Sequence, residues 1–376
     1  MRIKNPFLFA TFVGIGAGGL IWLFLKLMEL GLILFWETLP AIVDFAFYPL
    51  VICGLGGIAV GICQKKFGKN PEVLEEVINK VKATGRYEYK KLYGLFLSAL
   101  FPLIFGGCVG PEAGLSGVVA GYGSWSSKYF KGIGAKTKKA VFAIAIIFGV
   151  GVIYLLTTFL GGGMVLHRFG AASPENMEVF WFIPLVLIGA AAAYFYIASH
   201  KLVDFALRPT EQMPVVRAVI GGLILGLCGT FFPFTMFSGE LQMGIVMEEW
   251  TTLSWLFING FLKLAIISVC INSGWRGGHI FPLMFSGICL GCGIAAVVGI
   301  DGVFAAAVIT AALLGTIMRK PLLVSLLLLL CFPVTSIIYL CAAAFAGSKL
   351  AELNQRVMAK RREQETTSDS AEPPPS

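Results

Sequence analysis

Apolar residues in this chain run in long blocks, near 7–36, 45–63, 92–125, 140–166, 179–199, 214–237, 252–272, 280–299, 302–317 and 321–347. A membrane-spanning helix needs roughly 20 apolar residues, so the pattern predicts an all-α polytopic membrane protein. Several blocks exceed one straight helix or are cut by Gly and Pro, which predicts more helical pieces than blocks. The first block begins at Pro6 after Met1, Arg2 and Lys4; it has no cleavage-site pattern and is too long for a signal-peptide core, so it reads as a retained span. The block 92–125 is interrupted at Phe105–Leu115, FGGCVGPEAGL, where four glycines, a proline and a carboxylate stand in apolar surroundings. A continuous membrane helix does not tolerate that combination well. Irregular backbone at membrane depth is allowed where protein buries it or where it lines a polar cavity, so the break marks a candidate site.

Composition agrees with the pattern: 57% hydrophobic and 13% charged residues and a mean hydropathy of +0.84 exclude an ordinary soluble domain. The net charge of +8 is not a nucleic-acid signal, because the basic residues cluster in Lys65–Lys91, Lys128–Lys139 and Arg356–Arg362. By the positive-inside rule those segments face the cytoplasm, as does the N-terminus. The expected location is therefore the cell membrane, multi-pass, with both termini cytoplasmic. Nine cysteines, nearly all in apolar stretches, read as small core residues; Cys289 and Cys292 form a C-x-x-C with no second pair or nearby His to complete a metal set. Neither a metal nor a cofactor is expected.

The chain also repeats itself. Gly56-Gly57-Ile58-Ala59-Val60-Gly61-Ile62-Cys63 returns as Gly221-Gly222-Leu223-Ile224-Leu225-Gly226-Leu227-Cys228, displaced by 165 positions. Gly68 then pairs with Gly239, Gly106-Gly107 with Gly277-Gly278 and Pro111 with Pro282, each displaced by 171. Shared glycine-rich composition explains one matched pair, but not an ordered series. Residues 1–172 and 173–348 are read as two transmembrane repeats, followed by a basic segment and disordered cytoplasmic tail at 349–376, with disorder expected from Thr366. Broken segments at corresponding positions of two halves are how many transporters build a site at the repeat interface. Four breaks, at Gly68, Gly106, Gly239 and Gly277, are expected to converge.

A helix that starts at membrane depth presents unpaired N–H groups and a partial positive charge of roughly half a unit. Pro111 and Pro282 suit a first helical turn, and glycines before them let backbone approach a ligand. Such a seat holds an anion without a full positive charge, so the anion can leave. No Lys or Arg lies within Phe105–Leu115; Arg276, directly before Gly277, reads either as a vestibule charge or as a structural arginine.

At these residues the chain resembles the CLC family of chloride channels and proton-coupled chloride transporters. Gly277-Gly278-His279-Ile280-Phe281-Pro282 looks like that family's G-G-x-F-x-P segment, Gly106–Pro111 like its G-x-E-G-P, Phe67–Glu72 like a degraded G-S-G-I-P-E, and Arg319-Lys320-Pro321-Leu322 like the segment opening its last helix. The resemblance covers about Pro6 to Gly347. It implies two structurally related halves in an inverted repeat with broken and re-entrant helices, and a homodimer with one pore per subunit. It also implies a chloride-type anion surrounded by the N–H groups of Ile280 and Phe281 and by those around Val109 and Gly110, with Gly107 and Gly278 in the cradle.

The departures are as informative. Val109 stands where the family carries its gating glutamate, and a carboxylate comes three residues later, at Glu112. Val109 therefore leaves the pore ungated, or Glu112 is a relocated gate, dipole-stabilised in the first turn of a helix; a simple helix cap is the alternative role for Glu112. Lys69 and Asn70 occupy the turn of the family's central serine, and Asn70 offers an amide donor. The family's tyrosine is missing, with Thr335 nearest its position and Tyr339 one turn on. The region Tyr154–His167, where proton-coupled members keep an inner glutamate, holds no acid.

The expected function is passive, channel-like transport of small monovalent anions, chloride first; the chain is not expected to be an enzyme. Its expected partners are the anion, the lipid bilayer and a second copy, with no nucleic acid. One alternative is a proton- or cation-coupled transporter using Glu112, with Glu240 and Asp301 as further membrane carboxylates. A remote one is an intramembrane serine protease using Ser116 of Gly114-Leu115-Ser116-Gly117, with His167, His200 or His279 as base.

Overall fold

The computed structural model describes residues 6–43, 45–72, 74–84, 86–87, 91–127, 135–161, 167–172, 178–248 and 252–369. Among them the regular structure is helical, and the one β feature is an isolated antiparallel bridge between Gly110 and Gly278. Helix α1 (Pro6–Leu32) passes through a π-helical stretch, Ile33–Thr38, into α2 (Leu39–Ile42). Then come α3 (Tyr48–Phe67), α4 (Leu74–Thr84), α5 (Leu92–Ile104), α6 (Glu112–Ser127), α7 (Ala135–Leu160), α8 (Phe182–Leu207) and α9 (Pro214–Phe231). The chain continues through α10 (Gln242–Glu248), α11 (Leu253–Ser273), α12 (Ile280–Val298), α13 (Gly302–Met318), α14 (Pro321–Leu328) and α15 (Ile337–Asp369).

Eight of the described helical segments are long and apolar enough to cross a membrane. Two apolar blocks are not single spans. Residues 92–125 divide into α5 and α6 around the glycine-rich break, and 321–347 divide into the short α14 and the start of α15. Arg319-Lys320-Pro321-Leu322 accordingly opens α14 and not the last helix. Helix α15 continues through Asp369, past the point at which a tail was expected to begin. Residues 128–134, from the second basic cluster, and 370–376 lie outside the described residues, as does Lys90. All nine cysteines are free.

The chain forms two compact units. Unit 1 comprises Met1–Val165, Ser199–Gly239 and Ala265–Pro282, and so takes segments from both sequence halves. At its centre the two copies of the duplicated glycine motif pack directly on each other. Helices α3 and α9 run antiparallel, with Gly57 against the backbone of Ala218 and Val219, Gly61 against Val215, Gly222 against the Cys53 carbonyl and Gly226 against Leu50. Each glycine omits a side chain where another backbone passes, which is how small residues allow close helix approach in a membrane. The buried Trp275 indole lies beside Gly56 and Gly222, and its N–H donates to the Ala218 carbonyl at 2.8 Å.

Unit 2 comprises Leu166–Ala198, Glu240–Leu264 and Leu283–Ser376. Its centre is α13, buried almost continuously from Phe304 to Thr316. An all-round apolar, alanine-rich helix is the kind that can be enclosed on every side. Gly189, Gly287, Gly291, Gly315 and Gly347 mark its close contacts with α8, α12 and α15. Asp301 starts it, accepting from the Phe304 N–H at 2.6 Å. That side chain is a helix cap, which accounts for one of the three membrane carboxylates considered above.

Candidate functional site

The site is built where α5 stops early. Pro102 interrupts its last turn, and Gly106, at φ +85°, turns the chain away from the helix axis, a conformation natural to glycine. The freed carbonyls are taken up: Gly107 N–H donates to Pro102 O at 2.7 Å, and the Trp36 indole donates to Ile104 O at 2.9 Å. The chain then runs through Val109 and Gly110 to Pro111, and α6 begins at Glu112.

The second half repeats the construction. α11 ends at Ser273, Gly274 at φ +101° makes the turn, and the chain passes Arg276, Gly277 and Gly278 before α12 begins at Ile280. The two broken segments are tied to each other. Gly110 N–H donates to Gly278 O at 2.6 Å and Gly278 N–H donates to Gly110 O at 2.8 Å. The upstream breaks are tied in crosswise. Phe237 N–H donates to Gly106 O at 3.1 Å, while Arg276 Nη1 donates to Lys69 O at 3.3 Å. The Gln64 amide also donates to Gly274 O. The expected convergence of the four breaks is therefore present within unit 1.

The Glu112 carboxyl lies at this junction. Its Oε1 accepts from the Ile280 N–H at 2.9 Å, and the N–H groups of Phe281 and of Glu112 itself face the carboxyl. The other oxygen, Oε2, is buried and has no hydrogen bond among the described residues. Gly110 and Gly278 leave the room for it, since a Cβ on either would fall on the carboxyl. A carboxylate thus sits on the first N–H groups of a membrane helix, the position that suits an anion.

Val109, the other gate candidate, is completely buried and packs on Gly277, where an added Cβ would come within 2.6 Å of Val109 Cβ. Its N–H donates to Gly107 O at 2.8 Å. With the Gly107, Val109 and Gly110 N–H groups bonded inside the loops, the facing donors come from Ile280, Phe281 and Glu112. The cradle is less symmetric than the duplicated sequence suggests.

Two further candidates are placed differently. The Asn70 amide donates to Phe67 O at 3.0 Å, closing the end of α3. Thr335 belongs to unit 2, exposed on the 3-10 turn Val334–Ser336; Tyr339 packs edge-to-face on Phe304. The His279 ring lies within electrostatic reach of His200, whose Nδ1 is 3.1 Å from the Asn272 amide. The Ser116 hydroxyl donates to Ala113 O at 2.9 Å, inside its own helix. Glu240 is buried just ahead of α10. Trp275 and Phe237 were not anticipated as parts of the site. The signal available for Trp275 was an aromatic residue set into a glycine run, Gly274 to Gly278; Phe237, at φ 60°, carried no comparable mark.

A family model described as voltage gated chloride channel matches residues 135–352, which includes Gly278–Phe281 but not Gly107–Glu112. "Putative ion-transport protein YfeO" of Escherichia coli O1:K1 / APEC is 36% identical over 115 residues, and the protein of the same name from Escherichia fergusonii is 34% identical over 115. Those alignments cover 28% of this chain and 27% of each relative. The fold matches the crystal structure of a slow cyanobacterial Cl−/H+ antiporter at a TM-score of 0.74 and 16% identity, over 96% of this chain and 100% of that one. It also matches a CLC-type fluoride/proton antiporter at 0.65 and 16%, over 92% and 95%. The inverted-repeat, all-helical architecture is thus shared, and the family model covers more than half of the sequence. The chain belongs to the voltage gated chloride channel family.

Proposed function

We propose that this chain carries small monovalent anions, chloride first, passively across the cell membrane, and that the Glu112 carboxylate is its gate. The observation that carries this reading is the hydrogen bond from Ile280 N–H to Glu112 Oε1 over Gly110 and Gly278. A carboxylate is an anion, and a seat that suits it also suits a halide. No lysine or arginine lies in Phe105–Leu115, so the seat attracts through dipoles and lets the ion go. A permeant anion and Glu112 then compete for the same donors. Val109 has no charge with which to compete, so its burial against Gly277 leaves the gating role to Glu112.

The test is chloride efflux from liposomes containing purified protein, with Glu112→Gln in parallel. Gln keeps the size and removes the charge, so efflux at neutral pH rises in the variant. No chloride flux in either protein under any voltage sinks the reading. Within the same proposal the chain forms a homodimer with one pore per subunit and keeps both termini in the cytoplasm, the side to which its basic clusters point. It performs no enzymatic reaction.

One observation favours a second reading. Glu112 is a carboxyl at the seat itself, and the structural neighbours include a chloride/proton and a fluoride/proton antiporter. A protonated Glu112 leaving the seat as an anion arrives would couple the two ions. That reading requires proton movement against its gradient when chloride is driven, whereas passive transport does not.

A further inference from the structure

We infer that Lys263 is a positioning residue of the cradle, pinning α12 so that the N–H groups at its start face the anion. Lys263 is the middle residue of the 21 in α11. Either end of that helix is about 15 Å away at 1.5 Å per residue, too far for the side chain to carry its charge to the membrane surface. The ammonium is instead fully buried. Helix α11 turns Lys263 and Asn259, one turn earlier, inward, and leaves Ile258 and Phe261 exposed. A cation held at membrane depth is costly and is found where function needs it.

Its partners come from two other helices. Lys263 Nζ donates to Oε1 of Gln242, the first residue of α10, at 3.0 Å. The same nitrogen lies 4.3 Å from the centroid of the Phe285 ring on α12. A desolvated ammonium over an aromatic face is a strong contact with a defined geometry. Helices α11 and α12 are the two arms that flank the broken segment Gly274–His279, and Gly260 on α11 lets Leu290 and Cys289 of α12 come close. Helix α12 is continuous: Ile280 and Phe281 stand in its first turn and Phe285 in its second. Holding the Phe285 ring by its face fixes the rotation of α12 about its axis, and with it the direction of the Ile280 and Phe281 N–H groups. An apolar side chain of similar length would fill the same space without burying a charge. It would not hold the ring in one orientation.

This role rests on the anion reading of the cradle. The test therefore uses liposomes with Glu112→Gln protein, in which no carboxylate competes with chloride for the donors. Adding either Lys263→Met or Phe285→Leu should raise the chloride KM roughly tenfold with kcat little changed. The two together should raise it no further than either alone, because both remove one contact. Lys263→Arg keeps the charge and stacks on an aromatic face, so its KM should stay near the starting value.

Equal KM increases in Lys263→Arg and Lys263→Met, or increases that multiply in the double variant, overturn the pin. So does a lower melting temperature in Lys263→Met with an unchanged KM, which makes Lys263 a residue of stability alone. Should Lys263→Met fail to fold, Phe285→Leu decides, and an unchanged KM there overturns the inference. Flux that rises in Glu112→Gln but responds to neither Lys263→Met nor Phe285→Leu overturns this inference and leaves the cradle reading standing. No chloride flux in any of these proteins overturns both.

Discussion

On the proposed reading, Glu112 is a carboxylate displaced in sequence that occupies an anion's seat. It lies three positions after Val109, and the start of α6 places its carboxyl at the N–H of Ile280. A charge-assisted hydrogen bond of this kind contributes about 1.5–3 kcal/mol, so Glu112→Gln should raise chloride efflux by roughly tenfold or more at neutral pH. In the native protein efflux should increase as pH falls, because a protonated carboxyl no longer competes as an anion; in Glu112→Gln that dependence should vanish, as stopped-flow efflux across a pH series would show. Gly278→Ala is the opposite test. Its methyl would fall where the carboxyl now sits, blocking the seat, so flux should be lost in both the native and the Glu112→Gln backgrounds. Restored flux in the double variant would mean that the anion passes elsewhere. The meeting of the two broken segments was legible from Gly106–Pro111 and Gly277–Pro282. Which N–H groups remain to face a ligand was not, because the bonds from Val109 to Gly107 and between Gly110 and Gly278 depend on how two segments 168 residues apart meet.

Among the helices, α3 and α9 form the frame that brings those segments together. Their glycines face backbone directly: a Cβ on Gly222 would lie on the Cys53 carbonyl and 2.9 Å from the Trp275 ring, while one on Gly19 in α1 would meet nothing within 4 Å. Gly222→Val should therefore destabilise the protein by about 1–3 kcal/mol through overpacking, seen as a lower melting temperature in detergent. Gly19→Ala should be neutral or slightly stabilising, since it removes only chain freedom in the unfolded state. Equal effects from the two would show that the α3–α9 contact is not tight. The repeated glycines were legible as a series, but not as each other's partners. Composition cannot say which helix a glycine face meets, and the antiparallel pairing of the two copies follows from the duplicated fold. The short α14 was hidden for a related reason, since 321–347 is apolar throughout and its break at 329–336 carries only Pro333 as a mark.

For the molecule as a whole, the membrane class was readable from the block pattern alone, since spans must satisfy their own backbone and helices do so. The ion's direction of coupling is a different kind of property, because it depends on whether protons reach the seat from both sides. Tyr154–His167 contains no Asp or Glu, and Asp301 is held as the cap of α13. Glu112 then has no acidic relay in that region to pass a proton onward. A gate that is protonated and deprotonated from one side changes the rate of anion movement without carrying net protons. In sealed liposomes a chloride gradient should accordingly drive chloride efflux that follows the Nernst potential for chloride, with no pH change inside beyond that of protein-free vesicles. Proton uptake against its gradient, at a fixed ratio to chloride and lost in Glu112→Gln, would replace passive conduction with exchange while leaving the cradle and its anion in place.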